Sequence, residues 1–412
     1  MTSSVYIAKN VYGGDGLGRL GDGRVVFVPG AWAGEQVRAE IVEEKRHFVR
    51  ARLVEVVEPS PERVEPGPSV PGMVYSGLSY KGECDAKELQ LADFLERARI
   101  KFPGISRAAQ PAQPGAYRNK VVYHFAKQGG RWAIGYRAEP GNEVVDVESD
   151  PLAVPEINAK LPVIRRGVVA LLTAGAEAVR RDVERKGNVT VRWTPRTGVK
   201  WWVGDPPSGL VLRESTAGLD FDVPADGFYQ VNPFVGEQLV QAVCDTYAAG
   251  AAEAPGVLDL YCGVGVFGLA CLRRAAAAGV DASLVGVESG RQAVEFAKRN
   301  AAAQKASGAR FFSERVGPNM RRMPLGARTT VIVDPPRGGL EHGVARALVA
   351  SRVPRLFYVS CDPATLVRDL RELVRAYDVE SVRWFDMFPR TARFETFVAL
   401  RRRAAASPGA GA

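Results

Sequence analysis

The C-terminal part of the chain alternates short apolar runs, rich in β-branched residues, with segments of helix length. From about Phe228 onward these runs are VLDL, LVGVE, VIVD, LFYVS and FVALR. This alternation is typical of a doubly wound α/β sheet with helices on both faces. Ligands of such sheets bind at the carboxyl ends of the strands, so the polar residues that follow these runs are the first candidates for chemistry.

The N-terminal part has a different pattern. Up to about residue 60, the segments RVVFVPG, EQVRAEIVE and FVRARLVEVVE alternate apolar with polar residues between glycine-rich turns, which predicts a small β-barrel. Four basic residues surround Phe48, a combination that suits phosphate and base contacts with RNA: Lys45, Arg46, Arg50 and Arg52. Residues 1–60 carry eight basic and eight acidic side chains, so a solvated barrel edge is an equally good interpretation.

Between these two parts the chain has a proline-rich linker at 59–72, a helical stretch CDAKELQLADFLERARI, and a mixed, strand-rich region from Tyr117 to about Phe221. Residues 161–200 hold nine basic and three acidic side chains, which indicates either a surface facing a polyanion or a solvated helix face. We therefore expect a barrel at 1–60, a central α+β domain at 61–227, a Rossmann-like domain at 228–403 and a flexible tail at 404–412.

Composition excludes several classes of protein. The five cysteines are scattered without a CxxC pair and there are only three histidines, so neither a disulfide framework nor a metal site is predicted. No apolar stretch reaches the roughly 18–20 residues of a membrane span, and the N-terminus lacks the pattern of a secretory signal. We expect a cytoplasmic protein without membrane contact, whose net charge of +9 favours a polyanionic partner such as RNA.

The segment VLDLYCGVGVFG has the pattern of a nucleotide-type cofactor site. Gly263, Gly265 and Gly268 allow a tight turn and a close approach of the backbone to a ligand. Glu288 ends the next strand twenty residues after Gly268, where an acid can hold ribose hydroxyls. These residues fit NAD and S-adenosylmethionine equally well.

Three further segments supply reactive groups. In VIVDPPRGG, Asp334 ends a strand before two prolines and could accept a substrate N–H, although a rigid loop would look the same. In LFYVSCDPATLVRDL, Cys361 follows a strand and precedes a helix N-terminus, which should lower the pKa of its thiol. In WFDMFPRTARFETFVAL, aromatic neighbours should desolvate Glu395 and raise its pKa toward that of a general base.

The combination resembles the RNA uracil-5-methyltransferases. DLYCGVGVF, DPPRGGL, YVSCDPATLVRDL and DMFPRTARFE occur in that family's order, together with FYQVNP at 228–233, and the N-terminal barrel is similar to a TRAM domain. The resemblance implies an S-adenosylmethionine-dependent methylation of uridine C5 in RNA, with Cys361 as the nucleophile that adds to C6 and Glu395 as the general base. It also implies these cofactor-binding residues: Gln230, Tyr261, Gly263, Gly265, Glu288 and Asp334.

The chain departs from the family pattern at six positions. Members with an iron–sulfur cluster have four cysteines where this chain has Val64, Val70, Met73 and Asp150, so we expect no cluster. Arg393 stands where the family usually has histidine, and Arg315 where a small polar residue often meets the cofactor.

We expect a monomeric enzyme that flips a uridine of RNA into its site, with 23S rRNA as the substrate and tRNA as the alternative. A catalytically lapsed RNA-binding protein and a NAD-linked dehydrogenase are the other interpretations. The first is motivated by the departures from the family pattern, and the second leaves Cys361 and Glu395 without a role.

Overall fold

A computed structural model describes residues 2–111, 113–138, 141, 143–174 and 177–404. The tail expected at 404–412 falls outside these ranges except for its first residue.

The N-terminal segment forms a closed five-stranded barrel in the order β1-β2-β3-β5-β4. Its strands are β1 (Thr2–Asn10), β2 (Gly16–Arg19), β3 (Val25–Val28), β4 (Gln36–Glu44) and β5 (Phe48–Glu58). Alternate residues such as Val5, Ile7 and Val37 point inward and are buried, as the alternating pattern predicts. Closure leaves the barrel with no free sheet edge.

The proline-rich segment after the barrel is fixed to it by a buried acid. The carboxylate of Glu35 accepts hydrogen bonds from the backbone N–H of Ser60, at 3.2 Å, and from the guanidinium of Arg63. The predicted helix follows as α1 (Tyr80–Arg97), and the hydroxyl of Ser79 caps it by accepting from the backbone N–H of Gly82 at 3.0 Å.

The central region contains an antiparallel sheet and a separate hairpin. After β6 (Ile105–Arg107), the sheet has the order β11-β10-β7-β8-β9, and the hairpin consists of β12 and β13. The bounds are β7 (Lys120–Gln128), β8 (Arg131–Arg137), β9 (Val144–Asp146), α2 (Pro155–Thr173), α3 (Glu177–Lys186), β10 (Asn188–Thr194), β11 (Gly198–Val203), β12 (Val211–Thr216) and β13 (Leu219–Pro224). Helix α2 buries Ile157, Leu161 and Val168 in the same core as the sheet residues Val189 and Val191.

The C-terminal region is an eight-stranded sheet of order β16-β15-β14-β17-β18-β20-β19-β6. Its elements are α4 (Pro233–Ala248), β14 (Gly256–Leu260), α5 (Val266–Ala277), β15 (Leu284–Glu288), α6 (Arg291–Ala303), β16 (Ala309–Ser313), α7 (Val316–Asn319), β17 (Thr329–Val333), α8 (Val344–Ala350), β18 (Arg355–Ser360), α9 (Pro363–Leu373), β19 (Tyr377–Phe385) and β20 (Glu395–Arg402). Strands β14 to β18 pair in parallel, β20 is antiparallel, and two apolar clusters cover the faces. The predicted doubly wound sheet is thereby confirmed.

The basic excess of residues 161–200 does not form a continuous cationic surface. Six of its nine basic side chains make ion pairs: Arg165, Arg181, Arg185, Lys186, Arg192 and Arg196. Three of these six pair with acids outside the segment, among them Arg192, which is buried against Glu214 at 3.3 Å. Counting charges along the sequence therefore overstated the positive potential, because acids from other strands neutralise part of it.

Candidate active site

Sheet topology brings three acidic groups to one place. Strands β17 and β18 are parallel neighbours, so Asp334 and Cys361 follow adjacent strands at the same edge of the sheet. Strand β20 runs antiparallel to β18, with Ser360 opposite Thr396, so Glu395 at the start of β20 lies beside Cys361 at the end of β18. Glu395 and Asp334 are close enough to Cys361 for their charges to raise the pKa of its thiol.

Glu395 is a buried carboxyl with an unsatisfied oxygen. Its residue is 5% exposed, and its Oε2 atom has no hydrogen-bond partner among the described residues. Burial, and next the charge of Asp334, hold the pKa of Glu395 well above its usual range, while the cation of Arg337 opposes them. The predicted desolvation is thereby confirmed, and a carboxylate with a raised pKa is the stronger base.

The thiol of Cys361 does not have the lowered pKa expected from the adjacent helix. Burial and the charges of Glu395 and Asp334 raise its pKa to about 12. The helix effect is weakened because Asp362 caps α9: its Oδ1 atom accepts from the backbone N–H groups of Ala364, at 3.0 Å, and Thr365, at 3.1 Å. This cap adds a negative charge beside the thiol, where the sequence had suggested only the positive helix end.

Asp334 is the third member of this cluster. Desolvation raises the pKa of its carboxyl to about 7, so it changes charge close to neutral pH. Its backbone N–H donates to Leu260 at 3.4 Å, which fixes it beside the end of β14.

A cleft with a mostly apolar wall opens next to this cluster. Gln230, Tyr261, Gly263 and Asp334 line it, together with apolar side chains such as Phe267. Phe228, with 72% of its surface exposed, lies at the same cleft. Of the six predicted cofactor residues, four therefore line one cleft.

The other two shape the cleft without lining it. Gly265 has a φ of +90° and caps the N-terminus of α5, a left-handed conformation that favours glycine. Glu288 accepts from the backbone N–H of Gly263, at 3.3 Å, and of Gly290, at 2.8 Å. A carboxylate beside an open glycine turn suits the hydroxyls of a ribose.

Sequence reasoning missed Asp259, whose buried carboxyl group binds the backbone of the glycine-rich turn. It is fully buried, its Oδ2 accepts from the backbone N–H of Gly268 at 2.9 Å, and its pKa is raised to about 7 by desolvation. A Cβ on Gly268 would lie 2.5 Å from Leu284 and 3.0 Å from this carboxylate. The signal was present, since Asp259 is the only polar residue in the run VLDL.

The two arginines that depart from the family pattern both have acidic neighbours. Arg315 is exposed and pairs with Glu341 at 2.9 Å, and the backbone N–H of Glu341 donates to the Tyr261 hydroxyl at 3.2 Å. Arg393 donates to Asp362 and to Tyr12 of the barrel.

The predicted RNA-contacting residues lie on the outside of the barrel. Lys45 pairs with Glu43 at 2.8 Å, Arg50 with Asp15 at 3.3 Å, and Arg52 with Glu40. Arg46 is exposed on the same side, and Phe48 packs edge-on against Phe27 with ring centroids 5.7 Å apart. Their contact with RNA stays a prediction.

The four positions at which the family can carry cluster cysteines have different surroundings here. Val70 and Met73 belong to the core of the central sheet, whereas Val64 is 40% exposed and does not take part in that packing. Asp150 is fully buried and accepts hydrogen bonds from the hydroxyls of Tyr123, at 3.0 Å, and Tyr136, at 2.6 Å.

Across the described ranges, no group of three His, Cys, Asp or Glu side chains is placed to hold a metal ion. None of the helices in these ranges is long and apolar enough to cross a membrane.

Comparison with known proteins matches this chain to RNA methyltransferases. The sequence model for tRNA (uracil-5-)-methyltransferases matches residues 212–403, and that for the TRAM domain matches residues 5–54. The 23S rRNA (uracil(1939)-C(5))-methyltransferase RlmD of Pectobacterium atrosepticum is 30% identical over 93% of this chain and 90% of that protein. An uncharacterised RNA methyltransferase of Thermosynechococcus vestitus is 29% identical over 94% of this chain and 95% of that protein.

A solved structure has the same fold over nearly the whole chain. It is the tRNA (uracil-54, C5)-methyltransferase of Pyrococcus abyssi, in complex with S-adenosyl-L-homocysteine, with a TM-score of 0.72 and 22% identity. The match covers 96% of this chain and 100% of that one.

Proposed function

This chain belongs to the RNA uracil-5-methyltransferase family and is an S-adenosylmethionine-dependent enzyme, and on that premise we propose that it methylates a uridine of 23S rRNA through a covalent bond between Cys361 and C6 of the uracil. The observation that carries the proposal is the grouping of Cys361, Glu395 and Asp334 beside the cofactor cleft.

The four cleft residues and Glu288 fit the cofactor. The turn at Gly263 leaves open space where a Cβ would stand, so the backbone can approach a ligand closely. When bound, S-adenosylmethionine would supply an electrophilic methyl group and a positive charge.

The thiol of Cys361 starts the reaction. Because its pKa is about 12 in the free protein, the thiol is protonated at neutral pH and must pass its proton to solvent when the substrate is bound. The Sγ–C6 bond then forms while the C5=C6 π electrons become an enolate delocalised over C5, C4 and O4, which makes C5 nucleophilic enough to take the methyl group.

Glu395 completes the reaction. After methylation, C5 carries both a methyl group and its original hydrogen. The carboxylate of Glu395 takes that hydrogen as a proton, the C5=C6 double bond forms again, and Cys361 leaves as the thiolate. Its unpaired Oε2 atom and raised pKa suit this role.

Asp334 and Phe228 are placed to bind the base. The carboxyl of Asp334 can accept an N–H from the uracil edge, and the exposed ring of Phe228 offers a stacking surface at the cleft. The uridine must leave its helix or loop to enter, so we infer base flipping. A monomeric state and a cytoplasmic location stay predictions.

The choice of 23S rRNA rests on relatives. Two relatives that are 30% identical and extend over most of this chain are named for 23S rRNA, whereas the structure named for tRNA shows the fold alone. Transfer RNA is therefore the second candidate.

The test is nucleoside mass spectrometry of ribosomal and transfer RNA from a strain that lacks the gene. We expect 5-methyluridine to fall in 23S rRNA, to return with the wild-type gene, and to stay absent with Cys361→Ala. A loss of 5-methyluridine confined to tRNA would show that tRNA is the substrate instead. Restoration of 5-methyluridine by the Cys361→Ala gene would refute the covalent mechanism.

RNA that contains 5-fluorouridine tests the same mechanism in the purified protein. Fluorine at C5 cannot be removed as a proton, so the wild type should stay bound to the RNA through Cys361. The Glu395→Gln variant should accumulate the same adduct with unmodified RNA, because its amide cannot accept the C5 proton.

A further inference from the structure

Tyr12, a residue of the barrel, reaches the catalytic region. It lies in the turn between β1 and β2, and its ring packs edge-on against Phe94 of α1, at 5.7 Å, and against Phe394, at 5.8 Å. Phe394 directly precedes Glu395. The barrel therefore contacts the segment that carries the proposed base, although 381 residues of sequence separate Tyr12 from Arg393.

Arg393 connects this tyrosine to the other side of the site. Its Nη1 atom donates to the Tyr12 hydroxyl at 2.7 Å and to Oδ2 of Asp362 at 3.4 Å. The guanidinium also lies 5.5 Å from the centre of the Tyr12 ring. Three side chains from the barrel, the loop before β20 and the N-terminus of α9 thus form one continuous chain of contacts.

Asp362 transmits this contact to the backbone of Cys361. Its Oδ1 atom caps α9, and its Oδ2 atom receives Arg393. The hydroxyl of Ser360 donates to the backbone oxygen of Asp362 at 3.0 Å, and the backbone N–H of Asp362 lies 3.2 Å from that hydroxyl. These bonds close a small loop around Cys361, so the conformation of Asp362 constrains the backbone that carries the thiol.

We propose that Arg393 and Tyr12 are positioning residues for the reaction: together they hold Cys361 and Glu395 in register, and the barrel contributes directly to the geometry of catalysis. This inference rests on the proposed roles of Cys361 and Glu395. Removing the Tyr12 hydroxyl should leave the arginine free to take other rotamers, while the aromatic contacts with Phe94 and Phe394 persist.

The test uses the full-length protein and RNA that contains 5-fluorouridine, as transcripts of 23S rRNA and of tRNA. Five variants are compared with the wild type: Tyr12→Phe, Arg393→Met, Arg393→Lys, the double variant of Tyr12→Phe with Arg393→Met, and Tyr6→Phe as the matched control. Tyr6 is a tyrosine of the same barrel, 58% exposed. Three quantities are measured: the single-turnover rate of adduct formation, the RNA dissociation constant and the melting temperature.

We expect Tyr12→Phe to slow adduct formation about three- to tenfold, the effect of one lost hydrogen bond, with RNA affinity and melting temperature unchanged. Arg393→Met should slow it further. The double variant should be no slower than Arg393→Met, because both changes break the same connection. Arg393→Lys, which can still donate to Asp362, should recover part of the rate.

Two results would overturn the inference. One is a Tyr12→Phe rate equal to that of Tyr6→Phe, and the other is a loss that appears entirely in the RNA dissociation constant, which would make Tyr12 an RNA-binding residue only. A wild type that traps neither RNA would instead overturn the covalent mechanism, and this inference with it.

Discussion

Replacing Lys87 by methionine should destabilise the protein strongly, because Lys87 holds together a buried cluster of charges. Its Nζ atom donates to Glu83 and to Asp386, both at 2.7 Å, and to the backbone oxygen of Phe388 at 3.3 Å. All three charged side chains are completely buried. Lys87 lies on α1, whereas Asp386 begins the loop that leads to Glu395, so this cluster anchors that loop to the helix.

The size of the destabilisation depends on which hydrogen-bond partners each acid retains after Lys87 is replaced. Glu83 retains Arg390, whose backbone N–H donates at 2.6 Å and whose guanidinium lies at 3.3 Å. Asp386 keeps nothing comparable, since its Oδ2 atom already lacks a partner within the described ranges and its Oδ1 atom loses Lys87. Removing one member of a buried pair costs about 3–5 kcal/mol. At roughly 2–4 °C per kcal/mol, the melting temperature should fall by about 6–20 °C.

The matched control is Lys81→Met on the same helix. Lys81 also pairs with two acids, Asp85 and Glu62, but its side chain is 72% exposed. Exposed ion pairs are screened by water and contribute little to stability, so the control should melt close to the wild type. Adding Asp386→Asn to Lys87→Met should restore part of the loss, because it removes the unpaired charge.

The deficit of Lys87→Met should also depend on pH. Burial raises the pKa of Glu83 to about 7, and Lys87 opposes that shift. Without the lysine this pKa rises further, and a carboxyl with a raised folded-state pKa destabilises the fold as the pH rises through that value. The loss should therefore be larger at pH 8 than at pH 6, measured by differential scanning calorimetry. Equal melting temperatures for Lys87→Met and Lys81→Met would refute this reasoning.

Three other measurements address the site and its support. The raised thiol pKa predicts that iodoacetamide alkylates Cys361 slowly at pH 7 and that the alkylation rate is still rising at about pH 10. A rate that levels off near pH 8 would contradict this prediction. Asp150→Ala should cost about 2–4 kcal/mol in urea titrations by leaving the hydroxyls of Tyr123 and Tyr136 unpaired, with Tyr136→Phe milder, and equal losses would argue against that role. Gly268→Ala should weaken S-adenosylmethionine binding in calorimetry, because its Cβ would clash with Leu284, and wild-type affinity would show that the turn tolerates a side chain.

Two of the three reactive groups of the site could be predicted from sequence because each follows a strand of a parallel sheet. Strand-sized apolar runs mark where the carboxyl ends lie, and Asp334 and Cys361 stand immediately after two of them. The position of Glu395 could not be predicted in this way, because the antiparallel pairing of β20 with β18 places it beside Cys361.

Electrostatics was the weaker part of the prediction. The helix after Cys361 is real, but Asp362 caps it, and burial together with two carboxyls decides the thiol pKa. The segment 161–200 does contain an excess of basic residues, but most of its cations pair with acids, three of them with acids from outside the segment. A pKa and a surface potential depend on every charge that is nearby in space. Most of those charges belong to residues that are distant in sequence.

The pattern of residues along the chain was sufficient to predict the class of fold and the reaction class, because the periodicity of apolar residues is local and the candidate reactive side chains occupy recognisable places in it. The tertiary structure alone decided how the site is held: Lys87 between Glu83 and Asp386, and Tyr12 against Arg393. The contact of Lys87 with Asp386 spans 299 positions of sequence and that of Tyr12 with Arg393 spans 381, so both form only when the barrel, α1 and the loop before β20 pack on one another.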